Sequence, residues 1–247
     1  STKNLSLSAY AFGYGCGFVK DPRADAVAAQ SLTLTHLVEI CREHDLGGLE
    51  IPVDRYFPSL STGALERFIE QMEASSLRVI FDLERFSALY LRELAPIVRR
   101  FGGEFVSAKV CNFYGGNRFR EPSYVADKQS FCQELEKCIE LIDRYDIKIL
   151  VENHQDVTVK ELREFAERVG AHRVGVNWDT GNSYLAGIED PYEGLLRVRD
   201  QVRHVHAKDI TVGHAEAERG KVTGTPVGCA CGDGVVDWER VLSILDP

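Results

Sequence analysis

The sequence predicts an α/β fold, a closed barrel of parallel strands each followed by a helix, on three observations. Short apolar or β-branched runs recur along the 247 residues. A segment with helical periodicity follows most of them. Polar side chains stand at the ends of the later runs, the end of a barrel strand that carries chemistry.

The runs lie over 5–11, 48–51, 77–81, 105–110, 147–152, 174–178 and 202–207. Each has the length of a strand buried on both faces, where apolar residues run on instead of alternating. Between them, Leu65, Phe68, Ile69 and Met72 recur on one helical face, as do Phe131, Leu135, Cys138, Ile139 and Ile142, and then Val159, Leu162, Phe165, Ala166 and Val169. Each stripe faces a core and leaves the charged residues to solvent. Gly47-Gly48, Gly102-Gly103 and Gly170 stand where helices hand over to strands.

Seven strands with seven or eight helices suit a closed barrel better than an open nucleotide-binding sheet. No G-x-G-x-x-G follows a strand and opens a helix, and Gly13, Gly15 and Gly17 read as a tight turn. Residues 1–247 therefore read as a single (β/α)8 TIM-barrel domain, near the usual length of about 250 residues. The count stops one short. Residues 237–245 read as the helix after the seventh strand and Pro247 follows, so the eighth strand is missing. The stretch 211–236, rich in Gly and Thr, reads as a long loop on the active-site face.

Composition narrows the function. The net charge is −9 and the pI about 5.3, against a protein that lives on phosphate backbones, so no nucleic-acid partner is expected. Seven cysteines, odd in number and irregularly spaced, fit reduced thiols in a cytoplasmic enzyme. Cys229 and Cys231 form a close pair without the second pair that a structural zinc site needs. No apolar run approaches the roughly 20 residues that span a bilayer, and the N-terminal segment lacks the pattern of a signal peptide, so no membrane partner is expected. A homo-oligomer is the base expectation for such an enzyme.

The fifth, sixth and seventh runs end in Glu152, Asp179 and His206. Glu152 and Asp179 are 27 residues apart, and so are Asp179 and His206, which predicts matching places on adjacent strands. Two carboxylates in a dry barrel mouth are costly to bury without compensating charge. One divalent cation supplies it. Oxygen and nitrogen ligands without cysteine favour Mn²⁺, with Mg²⁺, Co²⁺ or Zn²⁺ as alternatives. The blander reading makes Glu152 and Asp179 helix caps and His206 a core histidine. Around this triad, His154 and Lys208 are candidates for acid–base or charge roles, against a polar loop residue and a plain ion pair. Lys109, Glu50, Asn182 and Trp178 are candidate substrate contacts. For Trp178, core packing is the alternative.

The runs LVENH, VGVNWDTGN and VRHVHAKD, followed by GDGVVDWERVL, resemble the xylose-isomerase-like TIM barrels of the sugar phosphate isomerase/epimerase family. The resemblance reaches from the first strand to residue 245 and is strongest from Ile147 onward. It implies that Glu152, Asp179 and His206 bind one divalent metal, completed in that family by a strand-8 glutamate that this sequence does not match. Asn182 stands where many members carry a histidine, and an amide hydrogen-bonds but cannot titrate. The implied activity is a metal-dependent isomerase or epimerase acting on a sugar or sugar-like carbonyl. It works by proton abstraction through a metal-stabilised enediolate, with Glu152 as the base. The small-molecule partner is a sugar or cyclitol. Two alternatives stand beside it. One is a lyase or dehydratase on the same scaffold, acting on an inosose, a dehydroshikimate or a 3-oxo-glycoside. The other is a non-catalytic sugar-binding or partner subunit.

Overall fold

Strand and helix alternate along the chain in the computed structural model, which describes residues 4–18, 20–21, 26–27, 31–111, 113, 117–186, 189–215 and 223–246. The chain divides into two compact units. One is Ser1–Glu84 with Leu89–Val106, the other Arg85–Ala88 with Ser107–Pro247.

The first unit opens with β1 (Ser6–Ser8), a 3-10 turn over Ala9–Phe12, and a small antiparallel pair, β2 (Lys20–Asp21) and β3 (Ala26–Val27). Helix α1 (Leu34–Glu43) follows, then β4 (Gly48–Pro52), α2 (Val53–Tyr56), α3 (Ala64–Ala74), β5 (Arg78–Leu83) and α4 (Ala88–Arg100). β1, β4 and β5 run parallel, with Ser8 beside Glu50 and Glu50 beside Ile80. Every residue of β4 is buried, Glu50 among them. Leu65, Ile69 and Met72 form the buried face of α3. The first strand is shorter than the run over 5–11, because the chain turns into the 3-10 helix at Ala9.

The chain passes into the second unit along β6 (Phe105–Ala108). There follow α5 (Tyr124–Lys137), α6 (Ile139–Tyr145), β7 (Lys148–Glu152), α7 (Val159–Val169), β8 (Val174–Asp179), α8 (Asn182–Ala186), α9 (Pro191–Val198) and β9 (Val202–His206). β7, β8 and β9 are parallel. The stripe over 131–142 is not one helix: it breaks at Cys138 into α5 and α6. Helix α7 starts where Thr158 and Glu161 form a reciprocal capping box, and it buries Leu162, Phe165 and Val169. Each of these side chains, taken fully from water, contributes about 1.5–3 kcal/mol.

The stretch expected as an irregular loop is ordered where it is described. β10 (Asp209–Ala215) and β11 (Thr223–Cys229) pair antiparallel as a ribbon, and 216–222 lie outside the described residues. Helix α10 (Trp238–Leu245) then starts on an Asp237 cap. This is the strand–helix succession of a TIM barrel, with no eighth barrel strand among the described residues. No helix among them is long and apolar enough to cross a membrane.

Candidate metal centre

Three parallel strands of the second unit end in ionisable side chains. Glu152 closes β7, Asp179 closes β8 and His206 closes β9. Glu152 and Asp179 are almost fully buried, at 2% and 1% exposure. One ligand atom from each of the three lies within 4.8 Å of the others.

The equal spacing in sequence does not place them on one rung. Glu152 pairs with Asn177, two residues before Asp179, so it stands one step lower on the same face of the sheet. Asp179 does pair with His206, through a register shift between Val176 and Asn177. Val176 sits opposite Val202, and continuing that register would put Val205 opposite Asp179. The shift turns His206 to the cluster instead.

His206 Nδ1 is 3.7 Å from Glu152 Oε1 and 3.9 Å from Asp179 Oδ2. The other ring nitrogen, Nε2, is 3.1 Å from the side-chain amide of Asn177, which also donates to Ser107 Oγ at 2.9 Å. Asn153, just past the end of β7, braces Asp179: its amide accepts from Asp179 N at 2.5 Å and donates to Asp179 O at 3.0 Å. The two oxygens of Asp179 divide their work. Oδ1 accepts from the backbone of Gly181 and Asn182 at 2.9 and 3.0 Å, as a cap at the start of α8. Oδ2 faces the cluster and Lys208 Nζ, 2.7 Å away. The capping reading and the ligand reading of Asp179 are thus compatible.

Asn182 is fully buried, and its amide joins two members of the cluster. Nδ2 donates to Glu152 Oε1 at 3.0 Å and Oδ1 accepts from Lys208 Nζ at 2.9 Å. Burial pushes the Glu152 carboxyl up, but the close imidazole of His206 and the positive charges of Lys109, His206 and His154 outweigh it. They hold the group well below the usual carboxylate range. Lys109 and His154 are both buried. His154 Nδ1 lies 3.3 Å from Asp156 Oδ1, and Asp156 in turn accepts from the Phe113 backbone at 3.1 Å.

The structure does not bring Trp178 to the cluster. It lies between Asn177 and Asp179 on the strand, so its side chain takes the opposite face, 1% exposed, with Gly194 of α9 beside its Cη2 edge. Of the two readings of Trp178, substrate contact and core packing, these surroundings match core packing. Glu50 is buried on β4 of the first unit. Asn153, Asp156 and Asn177 were not among the predicted site residues. Asn177 shares a face with Asp179 by the two-residue period, a signal the sequence does carry; Asp156 lies in a loop and carries none.

The three side chains are a group that could hold a divalent ion, with one ligand atom of each within 4.8 Å of the others. Two ligands each about 2.1 Å from one ion stand no more than about 4.2 Å apart, and His206 meets that limit with both Glu152 and Asp179, at 3.7 and 3.9 Å. Glu152 Oε2 is buried with no hydrogen-bond partner. An ionised carboxylate oxygen left bare in a dry site is costly unless a cation meets it.

The chain belongs to the xylose isomerase-like TIM barrel family, whose description matches residues 14–247. Among solved structures, a D-tagatose 3-epimerase-like protein is 17% identical at a TM-score of 0.66, with 97% of this chain and 85% of that one covered. The probable 3-DHS dehydratase AsbF of Bacillus anthracis is 16% identical at 0.62, covering 97% and 88%. A xylose isomerase-like TIM barrel protein from Mycobacterium smegmatis, in complex with magnesium, is 15% identical at 0.63, covering 97% and 85%. At these identities the likeness is one of fold. No curated protein matches the chain in sequence.

Proposed function

We propose that this protein is a divalent-metal-dependent isomerase or epimerase acting on a sugar or sugar-like carbonyl compound by proton abstraction. The observation that carries the reading is the bare, buried Oε2 of Glu152 beside Asp179 and His206. Glu152, Asp179 and His206 hold the ion, Mn²⁺ foremost, with Mg²⁺, Co²⁺ and Zn²⁺ as alternatives. A bound divalent ion supplies Lewis acidity, polarising a carbonyl so that the neighbouring C–H becomes acidic.

The chain's own residues do the rest. Glu152, at the end of β7 in the cluster, is the group that takes a proton. His154, kept in one orientation by Asp156, returns it. Lys208 and Lys109 bring positive charge to substrate oxygens. Asn182 holds Glu152 and Lys208 in place through its two amide atoms. The substrate is a small sugar or cyclitol. Seven free cysteines favour a reducing compartment, the cytoplasm, and a homo-oligomer is the expected assembly.

The second reading is a lyase. It shares the first proton transfer and differs in losing a hydroxyl or aglycone from the next carbon. The Asp156-held His154 favours it, because an oriented imidazole can protonate a leaving group.

The test is elemental analysis of the purified protein, wild type against Glu152→Gln, Asp179→Asn and His206→Ala, followed by incubation with sugars and cyclitols in deuterium oxide. About one divalent ion per chain, lost in the variants, with one C–H exchanged at constant substrate skeleton, supports the isomerase. Loss of water with a new enone absorbance moves the assignment to the lyase. A wild type that takes up no divalent ion from excess Mn²⁺ refutes both.

A further inference from the structure

Four consecutive residues at the end of β8 grip one residue. Lys208 lies two residues beyond His206, and Asp179, Thr180, Gly181 and Asn182 each hold a different part of it. The Thr180 hydroxyl accepts from Lys208 N at 2.9 Å and donates to Lys208 O at 2.6 Å, fixing its backbone. Gly181 leaves the space for its stem: a Cβ there would stand 2.8 Å from Lys208 Cγ and Cδ and 3.2 Å from its Cβ. Asn182 Oδ1 and Asp179 Oδ2 take the ammonium at 2.9 and 2.7 Å. An ordinary surface ion pair loses side-chain entropy and orients poorly; this lysine is oriented from backbone to tip.

The ammonium ends on Asp179 Oδ2. That is the oxygen turned toward His206 Nδ1, since Oδ1 is taken by the amides of Gly181 and Asn182. A divalent ion held by Asp179 and His206 must therefore share that oxygen with a fixed positive charge. Two like charges on one carboxylate repel, here between a lysine side chain that is 38% exposed and an ion on a carboxylate that is 2% exposed.

We propose that Lys208, seated by the Asp179–Asn182 clamp, is a built-in cation that competes with the divalent metal for Asp179 and so sets the affinity of the site. The inference rests on the metal reading above. It gives Gly181 a role in metal affinity that no ligand list would assign.

Isothermal titration of Mn²⁺ into the metal-stripped protein tests it, with wild type, Lys208→Met, Gly181→Ala and the double variant. Met keeps the length of the stem and removes the charge, while the Thr180 contacts, made to backbone, stay. Lys208→Met is expected to bind Mn²⁺ at least about tenfold more tightly. Gly181→Ala, which pushes the stem aside, should tighten binding in the same direction. In the Lys208→Met background it should add nothing, a non-additivity that a change in general stability would not produce. Wild type that binds Mn²⁺ with Lys208→Met no tighter overturns the competition and leaves the metal reading standing. If neither binds Mn²⁺, both fall. A wild type that binds none while Lys208→Met binds supports the competition and overturns the metal-dependent activity proposed for the wild type.

Discussion

Asp209 ties the start of the β10–β11 ribbon to the segment that leads into the last helix, and neutralising it should loosen that junction measurably. The side chain is 1% exposed and accepts five hydrogen bonds. Oδ1 takes Ile210 N at 2.9 Å and Val236 N at 3.1 Å. Oδ2 takes Gly232 N at 2.9 Å, Gly234 N at 3.2 Å and the Trp238 indole at 3.1 Å. Burial pushes the carboxyl up, and these donors more than reverse it, bringing it from 3.8 down to about 2. The folded value lies below the unfolded one. The stabilisation is therefore complete above about pH 4 and is lost as pH falls toward 2. A shift of this size corresponds to about 2 kcal/mol at neutral pH. Asp209→Asn keeps the shape but retains one acceptor oxygen, so at least two N–H donors face an amide NH₂. At about 1–3 kcal/mol for each unmatched group, the cost at pH 7 is about 3 kcal/mol. For a protein of this length that lowers the melting temperature by about 6–12 °C. The assay is thermal unfolding by circular dichroism at pH 7 and across pH 2–5. A variant melting within about 2 °C of wild type, with the same acid profile, would show that the five bonds do not stabilise this junction.

Further predictions concern the same unit. Gly234→Ala would drive a Cβ into Asp209 Oδ1 and Ile210 O, so it should cost about 3 kcal/mol or more and speed amide exchange at Gly232 and Val236. Glu161→Ala removes the partner of Arg118 at 2.7 Å and of Lys128 at 3.1 Å, together with half of the α7 capping box. Urea unfolding at pH 7 should show a loss of about 2–3 kcal/mol, since part-buried Arg118 loses its carboxylate partner and keeps the Asp156 carbonyl at 2.8 Å. Burial pushes the Glu161 carboxyl up, and Arg118, Thr158 and Lys128 bring it down to about 2, so this contribution holds above about pH 4.5 and disappears toward pH 2. Glu161→Ala should accordingly flatten the acid limb of the stability curve, and an unchanged limb would count against the assignment.

The alternation of apolar runs and amphipathic stripes was enough to read a β/α barrel from this chain, because both periods follow from burying one face of each element. It also placed Glu152 and Asp179 at strand ends, where a buried apolar run meets an ionisable residue, and His206 at the end of the next strand by its 27-residue spacing from Asp179. Helix ends were less legible. Asp45, Ser76 and Asp146 take positive φ without being glycine, where the sequence pointed to Gly47 for one of these turns. The break of the 131–142 stripe at Cys138 leaves no mark on the apolar pattern, and the β10–β11 ribbon came from a stretch whose Gly and Thr content reads equally well as loop.

The site's working arrangement was decided in three dimensions. A register shift, which no spacing count contains, sets His206 and not Val205 opposite Asp179. Strand alternation sends Trp178 to the helix side, although its neighbours in sequence line the cluster. Asn182 could be read only as a polar residue after β8; the fold makes it the link between Glu152 and Lys208. Residue types and periods are properties of the chain and determine which elements form and which ends carry charge. Which atom meets which depends on stagger between strands, and that is settled only when the strands are packed against one another.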